Sequence, residues 1–260
     1  MKKVLVIGAN SYIGQKFNEF VNNTKMHDVE VDLVSASDGA WSQVDFSVYD
    51  TVLHLSAIVH KKEKKNMKKL YNDINYNLAV EVARKAKDSQ VKQFIFMSTA
   101  AVFGTMTEIV PNEAVPKPVT IYGKTKYAAE QEIINMNETC FQVAIIRPPM
   151  IYGEGCKGNF PRLVKLAKFT PVFPEFHNKR SVIHINKLSH FITQLVVNDS
   201  SGYYHPQDDK YGDTCEIIVA IRKCMGKKTV LTKIFNPIIY ILKKYSSIFN
   251  KLFGDMYYKL

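Results

Sequence analysis

Short apolar runs alternate with amphipathic stretches along the first 150 residues of the chain. Four apolar runs have the length of a strand, at residues 4–7, 51–56, 93–97 and 142–146, and residues 29–35 alternate between apolar and polar as a further strand. Between several of them, apolar side chains recur at three- and four-residue steps, which is the period of a helix with one buried face. The alternation predicts an α/β fold with at least five strand–helix repeats, a parallel sheet and right-handed crossovers.

Three helices are expected among these strands. The first covers residues 12–21, and the third begins near Tyr122 after a polar, proline-rich loop at 108–120. The second, at 67–86, carries apolar side chains at four-residue steps on one face: Leu70, Ile74, Leu78, Val82 and Ala86. Residues 36–50 are too few for a full crossover helix, so we expect an irregular excursion or a short strand there.

The regular alternation ends near residue 150, where glycines and prolines interrupt the chain. We expect residues 153–260 to form a smaller, irregular lobe, interleaved in its packing with a first domain of residues 1–152. The tail from residue 232 onward is basic and amphipathic. This pattern is interpreted as a helix packed on the lobe, and an interfacial membrane helix is the alternative.

The composition is that of a globular protein. With 260 residues, 46% of them hydrophobic, the chain can bury the core of one large α/β domain or of a domain with an appended lobe. No apolar run approaches the ~20 residues of a membrane span, and the N-terminus is not typical of a secretory signal. The four cysteines form no C-x-x-C pair and no cluster with histidine. We interpret them as reduced packing residues of a cytoplasmic protein without a metal site.

The net charge of +11 is compatible with nucleic acid, an anionic membrane face or an anionic small substrate. A dense basic run, residues 60–69, is interpreted as a solvated loop and helix start. It lacks the interleaved aromatic side chains of single-strand binders, so nucleic acid is not expected as a partner. An anionic small molecule remains, together with a peripheral membrane contact through the basic tail.

Candidate chemistry begins at the stretch GANSYIG, between the first strand and the first helix. Its two glycines permit a sharp turn and close packing of the helix on the strand. Backbone N–H groups at the helix start can bind a pyrophosphate, helped by the helix dipole. The candidate cofactor-binding residues of this loop are Gly8, Asn10, Ser11, Tyr12, Ile13 and Gly14. By itself, the loop is explained almost equally well as an ordinary strand–helix turn.

In the stretch IYGKTKYAAE, Tyr122 and Lys126 stand four residues apart, which places both on one face of a helix. An ammonium beside a phenol favours the phenolate, so we expect Lys126 to lower the pKa of Tyr122 toward working pH. Such a tyrosine can exchange a proton with a sugar hydroxyl while hydride moves, and Lys126 can also hold a cofactor ribose. Chance surface decoration is the competing explanation, since the chain has 14 tyrosines and many lysines.

The stretch MSTAAVFG follows the strand at 93–97, at the end of the sheet where open α/β folds bind ligands. Thr99 offers a hydroxyl that can donate to a substrate oxygen and share a hydrogen bond with Tyr122. Ser98 is the second candidate. Capping of the strand end explains either hydroxyl without a function.

In this order, the three motifs resemble the extended short-chain dehydrogenase/reductase family, in its nucleotide-sugar branch of epimerases, dehydratases and reductases. The glycine motif G-x-x-G-x-x-G is matched at Gly8 and Gly14, with Ser11 in place of the middle glycine. The motif S-[ST]-x-x-V-Y-G is matched by Ser98, Thr99, Val102 and Gly104, with Phe103 in place of tyrosine. Tyr122 and Lys126 match Y-x-x-x-K, and the resemblance covers nearly the whole chain.

The resemblance implies a Rossmann-type doubly wound parallel sheet, an NAD(P)H cofactor, a UDP-sugar substrate and a homodimer through helices that include that of Tyr122. It makes Thr99, Tyr122 and Lys126 catalytic, with Thr99 and Tyr122 also touching the sugar. Further cofactor contacts are implied at Leu55, Ser56, Ala57, Asn75 (as a structural asparagine) and Pro148. Further substrate contacts are implied at Ser98, Asn159 and Arg180, the last with the diphosphate. His184 is interpreted as a packing residue.

The choice between NAD and NADP is left open by the second strand. NAD-binding proteins normally end that strand with a carboxylate for the adenine ribose, whereas here it ends at Ser35, with Asp38 beyond it. A 2′-phosphate is therefore not repelled, although no arginine is placed to bind it. We expect Ser35 to border the cofactor. As the cofactor, we slightly favour NADPH over NADH.

Within the family, the stretches VKQFIFMSTAAVFG, VAIIRPPMIYGEGCKGNFPRL and YYHPQD are similar to reductases of staphylococcal capsule synthesis. This similarity implies NAD(P)H-dependent reduction of a UDP-4-keto-6-deoxy-N-acetylhexosamine at C4. A UDP-sugar 4-epimerase with tightly bound NAD is the alternative, followed by an inactive cofactor-binding regulatory or scaffold protein. A dehydratase is disfavoured because Ala100 and Ala101 follow Thr99, where that reaction needs carboxyl groups. Such reductases usually run a few dozen residues further, which leaves the completeness of the lobe open.

Overall fold

The computed structural model describes residues 1–24, 28–59, 65–104, 109–111 and 114–259. Parts of the predicted basic run at 60–69 and of the loop at 108–120 lie outside these residues. The strands are β1 (Lys2–Ile7), β2 (Val29–Val34), β3 (Thr51–His54), β4 (Gln93–Met97), β5 (Ile109–Val110), β6 (Gln142–Ile146), β7 (Met150–Tyr152), β8 (Val172–Pro174), β9 (Val182–His184), β10 (Gly202–Tyr204), β11 (Val230–Thr232) and β12 (Tyr257–Tyr258). The helices are α1 (Tyr12–Asn23), α2 (Lys68–Asn72), α3 (Leu78–Asp88), α4 (Ile121–Ile134), α5 (Asn159–Phe169), α6 (Ile185–Val197), α7 (Thr214–Cys224), α8 (Asn236–Tyr245) and α9 (Ser247–Phe253).

Six strands form one parallel sheet in the order β2-β1-β3-β4-β6-β10. From β1 the chain crosses first to β2 on one side and then to β3 on the other, so the strand order reverses at β1. Open α/β sheets bind ligands in the crevice at the carboxyl ends of the strands where such a reversal occurs. The sheet confirms the predicted fold class and places the candidate cofactor site between the ends of β1 and β3.

Helices cover both faces of this sheet, which explains why its central strands have continuous apolar sequences. On one face, Phe17 of α1 and Leu188 of α6 pack in a core with Val4 and Val6 of β1. On the other, α3 and α4 contribute Val82, Ala83, Ala86, Ala129 and Ile133. The fold is therefore doubly wound, with the carboxyl ends of the strands as its open edge.

The helix predicted at 67–86 is divided in the structure. Helix α2 ends at Asn72, a π-helical turn covers Asp73–Asn77, and α3 continues from Leu78. The turn contains Asn75, whose buried amide bonds to backbone after β3. Residues 36–50 form two 3-10 turns, Ala40–Gln43 and Phe46–Val48, which is the expected irregular excursion and not a strand.

Residues after 152 contribute to two structures. Strand β10 pairs with β6 at the edge of the main sheet, and α6 packs in the core with α1. The other elements surround a smaller apolar cluster: Ala167, Phe173, Phe176, Cys215, Ile218, Ile239 and Phe253. The main sheet thus contains strands from before and after residue 152 in the sequence. A domain boundary at this residue stays a prediction.

Two further findings concern the described part of the chain. None of its helices is both long and apolar enough to cross a membrane. Its four cysteines are free thiols, and it groups no three His, Cys, Asp or Glu side chains in the manner of a metal site.

Candidate active site

The turn between β1 and α1 has the geometry of a phosphate cradle. Gly8 adopts φ +124°, which side chains rarely allow, and a Cβ there would lie 3.2 Å from the Ser56 nitrogen. A Cβ at Gly14 would lie 2.8 Å from Ser11 Oγ. Because side chains at these positions would fill or distort the turn, the glycines keep its backbone open to a ligand at the start of α1.

Ser11, the departure from the family's glycine motif, caps helix α1. Its Oγ accepts a hydrogen bond from Gly14 N at 3.0 Å, and its own N–H donates to Gly8 O at 2.9 Å. The cap uses an acceptor site of the hydroxyl, whose O–H can still donate to a phosphate oxygen. The serine therefore preserves the turn and adds a donor at the place where the cradle needs one.

The other loop candidates lie in different surroundings. Asn10 is exposed at the tip, and Ile13 packs against the core. The Tyr12 hydroxyl is buried without a hydrogen-bond partner among the described residues, and a Cβ on Gly153 would lie 3.2 Å from it. Burial, together with the nearby Cys156 thiol, raises the pKa of Tyr12 to about 12. Tyr12 therefore joins the glycine turn to the segment after β7.

The segment that follows β3 borders the glycine turn. Leu55 N donates to Ile7 O at 2.9 Å, which extends the pairing of β1 with β3 by one residue. Leu55 is buried, and Ser56 and Ala57 are half-buried where the segment leaves the sheet. The structure thus brings these three predicted residues to the edge of the cradle formed by Gly8.

Asn75 holds that segment in place. Its Oδ1 accepts from Ile58 N at 2.7 Å, and its Nδ2 donates to Ile58 O at 3.3 Å and to Thr125 Oγ1 of α4 at 3.4 Å. The residue is fully buried. Asn75 therefore fixes the backbone of the segment that borders the glycine turn, and its contribution to cofactor binding stays a prediction.

Thr99 and Tyr122 are brought together by two turns. Thr99 follows β4, and its Oγ1 accepts from Ala101 N at 3.1 Å. Thr120 caps α4 by accepting from Gly123 N at 3.0 Å, and a Cβ on Gly123 would approach the Ala101 carbonyl to 2.7 Å. This close seating of α4 on the turn after β4 allows the Tyr122 side chain to hydrogen-bond with that of Thr99.

Lys126 is buried one helical turn after Tyr122. It is 1% exposed, and its Nζ lies 3.8 Å from the centroid of the Phe96 ring. The Nζ has no hydrogen-bond partner among the described residues, and burial lowers its pKa to about 7. A buried amine without an acceptor is costly in a folded chain. The position of the Lys126 amine suits a hydrogen bond to a hydroxyl of a bound ribose. This is the role that the sequence suggests for Lys126.

The predicted effect of Lys126 on Tyr122 is wrong for the protein by itself. Burial raises the pKa of Tyr122 to about 12, and the hydrogen bond with Thr99 offsets only part of that rise. The expectation considered the charge of Lys126 but not its burial, which disfavours the ammonium as well as the phenolate. Tyr122 is therefore a protonated phenol at neutral pH.

Ser98 does not line the site, contrary to its place among the substrate-binding candidates. It is 3% exposed and donates a hydrogen bond to Oε1 of Glu130, which is fully buried. Arg147 binds the same carboxylate through Nη2 at 2.7 Å and Nε at 3.2 Å. Successive residues of an extended strand end point to opposite sides, so Thr99 faces the site while Ser98 faces the helix.

Glu130 and Arg147 are residues that the sequence reasoning missed. Glu130 lies four residues after Lys126 and therefore on the same face of α4, and Arg147 directly follows β6. Their ion pair joins the helix of Tyr122 to the strand end next to Pro148. The four-residue spacing of Lys126 and Glu130 could have indicated that Glu130 lies on the buried face of α4. Nothing in the sequence identifies Arg147 as the partner of Glu130.

The remaining predicted site residues lie in two places, at the ends of strands of the main sheet and in the part of the chain after residue 152. The buried Pro148 accepts from Ala100 N at 3.0 Å, next to Thr99, and Ser35 lies half-buried at the end of β2. Asn159 is exposed at the first position of α5. Arg180 donates from Nη1 to Gly254 O at 2.9 Å, so one arm of its guanidinium is engaged within the chain. Contacts of these residues with cofactor or substrate stay predictions.

His184 packs as predicted. It precedes α6, and its Nδ1 accepts from Asn186 N at 3.2 Å as a helix cap. Its ring contacts Tyr152 edge-on, with centroids 5.1 Å apart. Both contacts give it a structural position.

The chain is similar to proteins of one family over most of its length. The model of the NAD dependent epimerase/dehydratase family matches residues 4–199. The chain belongs to this family. It is 29% identical over 218 residues to UDP-glucose 4-epimerase of Vibrio cholerae, covering 75% of this chain and 66% of that protein. It is 30% identical over 189 residues to N-acetyl-alpha-D-glucosaminyl-diphospho-ditrans,octacis-undecaprenol 4-epimerase of Escherichia coli O157:H7, covering 69% and 56% respectively.

Solved structures share the fold. A dTDP-4-dehydrorhamnose reductase of Bacillus anthracis, solved in complex with NADP, superimposes with a TM-score of 0.73 at 21% identity, over 89% of this chain and 84% of that one. At this identity the likeness establishes the fold alone. The matches to the two relatives span two thirds or less of their lengths, so activity and substrate are argued below from the residues of this chain.

Proposed function

We propose that this protein is an NAD(P)H-dependent reductase of a UDP-4-keto-6-deoxy-N-acetylhexosamine, acting at C4 in the synthesis of a surface polysaccharide precursor. The observation that carries the proposal is the hydrogen-bonded pair Thr99–Tyr122 beside the buried Lys126, at the carboxyl ends of the parallel strands. Family membership supports a dinucleotide and a sugar nucleotide as ligands.

A dinucleotide bound beside Lys126 would supply the hydride for reduction of the C4 carbonyl. Tyr122 supplies the proton to the carbonyl oxygen, so that the ketone becomes an alcohol and the phenol becomes a phenolate. Thr99 holds the Tyr122 hydroxyl and directs it to that oxygen. Lys126 would hold a ribose hydroxyl, and the fraction of it that is an ammonium at neutral pH, with a pKa of about 7, would stabilise the phenolate as it forms. The oriented donors lower the barrier by positioning and by charge stabilisation.

The protonation state of Tyr122 favours reduction as the first step. A reductase needs a protonated phenol at the start, and the pKa of Tyr122 is raised to about 12. An epimerase begins by removing a proton from a sugar hydroxyl and therefore needs the phenolate. The geometry is common to both reactions, so the assay of cofactor oxidation is what separates them.

A UDP-sugar 4-epimerase is the second candidate, and the 29% identity to the Vibrio cholerae enzyme favours it. The Escherichia coli relative is named for a sugar carried on undecaprenol diphosphate. The sugar that reacts at C4 could therefore be carried on a lipid diphosphate instead of on UDP. NADPH as the preferred cofactor, a homodimer and a cytoplasmic location are parts of the proposal that rest on the sequence.

The proposal is tested by mixing the purified protein with NADPH or NADH and freshly prepared UDP-4-keto-6-deoxy-N-acetylhexosamine, and following nicotinamide absorbance. Oxidation of one cofactor per ketone consumed supports the reductase, and the ratio of the two rates gives the cofactor preference. Inversion at C4 of a UDP-hexose without net oxidation supports the epimerase. Cofactor binding without either reaction supports the regulatory or scaffold alternative.

A further inference from the structure

An exposed apolar stripe runs along helix α8. It consists of Ile234, in the turn before the helix, and of Ile238, Ile241 and Tyr245 in the helix, which follow each other at steps of three and four residues and therefore share one side. They are 77%, 57%, 60% and 85% exposed, respectively. Ile248, at the start of α9, is also exposed. A contiguous apolar surface of this kind on a folded protein marks an interaction site.

The stripe is presented by a helix that is anchored on its other side. Ile239 is buried in the cluster that contains Phe176 and Phe253. Lys243 lies over the rings of Phe176 and Tyr240, with its Nζ 5.3 and 5.4 Å from their centroids. Helix α8 is therefore fixed in orientation, with one apolar side in the core and a second apolar side facing outward.

The surroundings of the stripe are strongly basic. Residues 217–254 contain eight Lys or Arg residues and no Asp or Glu. Arg222 is buried, and six of the lysines are exposed: Lys223, Lys227, Lys228, Lys233, Lys244 and Lys251. The Glu175 carboxylate reaches Lys233 at 3.9 Å from a neighbouring segment. The segment that carries the stripe thus combines exposed apolar side chains with an excess of positive charge before and after them along the chain.

We propose that this face docks on the surface of an anionic phospholipid membrane, with the stripe in the acyl–headgroup boundary and the lysines on the headgroups. A helix with an apolar side and flanking lysines binds membranes in this way, by burial of apolar area together with attraction to anionic lipids. A second copy of the chain is disfavoured as the occupant, because it would bring two basic segments without carboxylates into contact.

Docking is independent of the chemistry at Tyr122. The stripe belongs to the smaller region of the molecule, and none of its residues contributes to the glycine turn or to the Thr99–Tyr122 pair.

The test is flotation of the full chain with vesicles of phosphatidylcholine alone and of phosphatidylcholine with phosphatidylglycerol. We expect at least tenfold tighter binding to the anionic vesicles, weakened by salt. The double variant Ile238→Gln/Ile241→Gln should lose at least tenfold in binding, and Lys244→Gln/Lys251→Gln should lose several-fold on anionic vesicles only. The matched control Val48→Gln/Val115→Gln changes two exposed valines elsewhere and should bind as the unchanged protein does.

A reporter variant, Tyr245→Trp, should show a blue-shifted emission and quenching by brominated lipid when anionic vesicles are added. Light scattering and reduced-cofactor oxidation are measured on the same samples, so that folding and activity are followed separately from docking. The proposal is overturned if anionic vesicles bind no more protein than neutral ones, or if the isoleucine variant binds as well as its control. It is equally overturned if that variant converts a dimer to a monomer, since the stripe would then be a contact between copies.

Discussion

Helices α4 and α8 both break the usual distribution of polar and apolar residues, in opposite ways. Helix α4 buries two charged side chains, Lys126 at 1% exposure and Glu130 at zero. Helix α8 leaves a row of isoleucines exposed while burying Ile239. The buried Lys126 and the exposed isoleucines are not needed to build the sheet or its core, so each indicates a task of the surface or site that carries it.

Within α4 the two buried charges also differ. Glu130 receives hydrogen bonds from Ser98 and Arg147, which offset the loss of hydration. Lys126 receives no comparable compensation and stays in place with a lowered pKa. The difference separates a structural ion pair from a group held for a ligand.

The largest effect is expected from breaking the buried ion pair. Glu130→Gln leaves the Arg147 guanidinium buried without a countercharge and should lower the free energy of unfolding by about 3–5 kcal/mol. Urea unfolding measures this change. The double variant Glu130→Leu/Arg147→Met should recover most of it, because apolar side chains of similar size need no partner. Equal stability of Glu130→Gln and the unchanged protein would mean that the pair is not structural.

Replacement of Lys126 should act in the opposite direction on stability. Lys126→Met removes a buried amine whose pKa is lowered from 10.5 to about 7, and should raise the free energy of unfolding of the cofactor-free protein at pH 7 by up to about 4 kcal/mol. The folded chain binds fewer protons than the unfolded chain between pH 7 and 10.5, so the stability of the unchanged protein should rise with pH in that range. The advantage of the variant should accordingly vanish toward pH 10.5. A pH-independent advantage would contradict this account.

Loss of the Asn75 clamp should have a smaller effect on stability and a visible one on cofactor binding. Asn75→Ala leaves the buried N–H of Ile58 without its hydrogen-bond acceptor. This should lower the free energy of unfolding by about 1–3 kcal/mol. Because the freed segment borders the glycine turn, the dissociation constant of the reduced cofactor should rise several-fold, as fluorescence titration can measure. The matched control is Asn77→Ala, whose side chain bonds to Asp73. Similar cofactor affinities for the two variants would show that Asn75 has no influence on cofactor binding.

The smallest effect on stability is expected at the exposed stripe. Ile241→Ala should change the free energy of unfolding by less than about 0.5 kcal/mol, because the residue is 60% exposed. Ile239→Ala, two positions earlier, should cost about 2–4 kcal/mol, because it opens a cavity in the smaller core. Thermal melting of the two variants side by side tests the orientation of α8. Equal losses would show that both sides of the helix are packed.

Patterns of local periodicity sufficed for much of the fold. Strands at 93–97 and 142–146 were predicted with their observed bounds, and the motif order brought Thr99 and Tyr122 to one edge of the sheet. Local patterns did not show that Ser98 points away from that edge, since its side chain is bound by Glu130, which lies 32 residues later in the chain. The π-helical turn at Asp73–Asn77 depends on the contact of Asn75 with Ile58, seventeen residues earlier.

The sign of the pKa shift at Tyr122 was missed for a related reason. Four-residue spacing places a lysine beside a tyrosine, but burial is a property of the assembled fold and outweighs the neighbouring charge. At α8 the sequence predicted an amphipathic helix packed on the lobe. Which side becomes core depends on Phe176 and Phe253, and the periodicity alone does not identify it.

The central claim is that Tyr122 is the proton donor of a nicotinamide-dependent reduction. The most direct measurement is the single-turnover rate of cofactor oxidation with the 4-keto sugar nucleotide in Tyr122→Phe, alongside cofactor affinity and the same-helix control Tyr127→Phe. We expect Tyr122→Phe to lose about 10²–10⁴-fold in rate while cofactor affinity changes less than threefold, and Tyr127→Phe to keep its rate. A Tyr122→Phe protein that reduces the ketone at the rate of its control would contradict the mechanism.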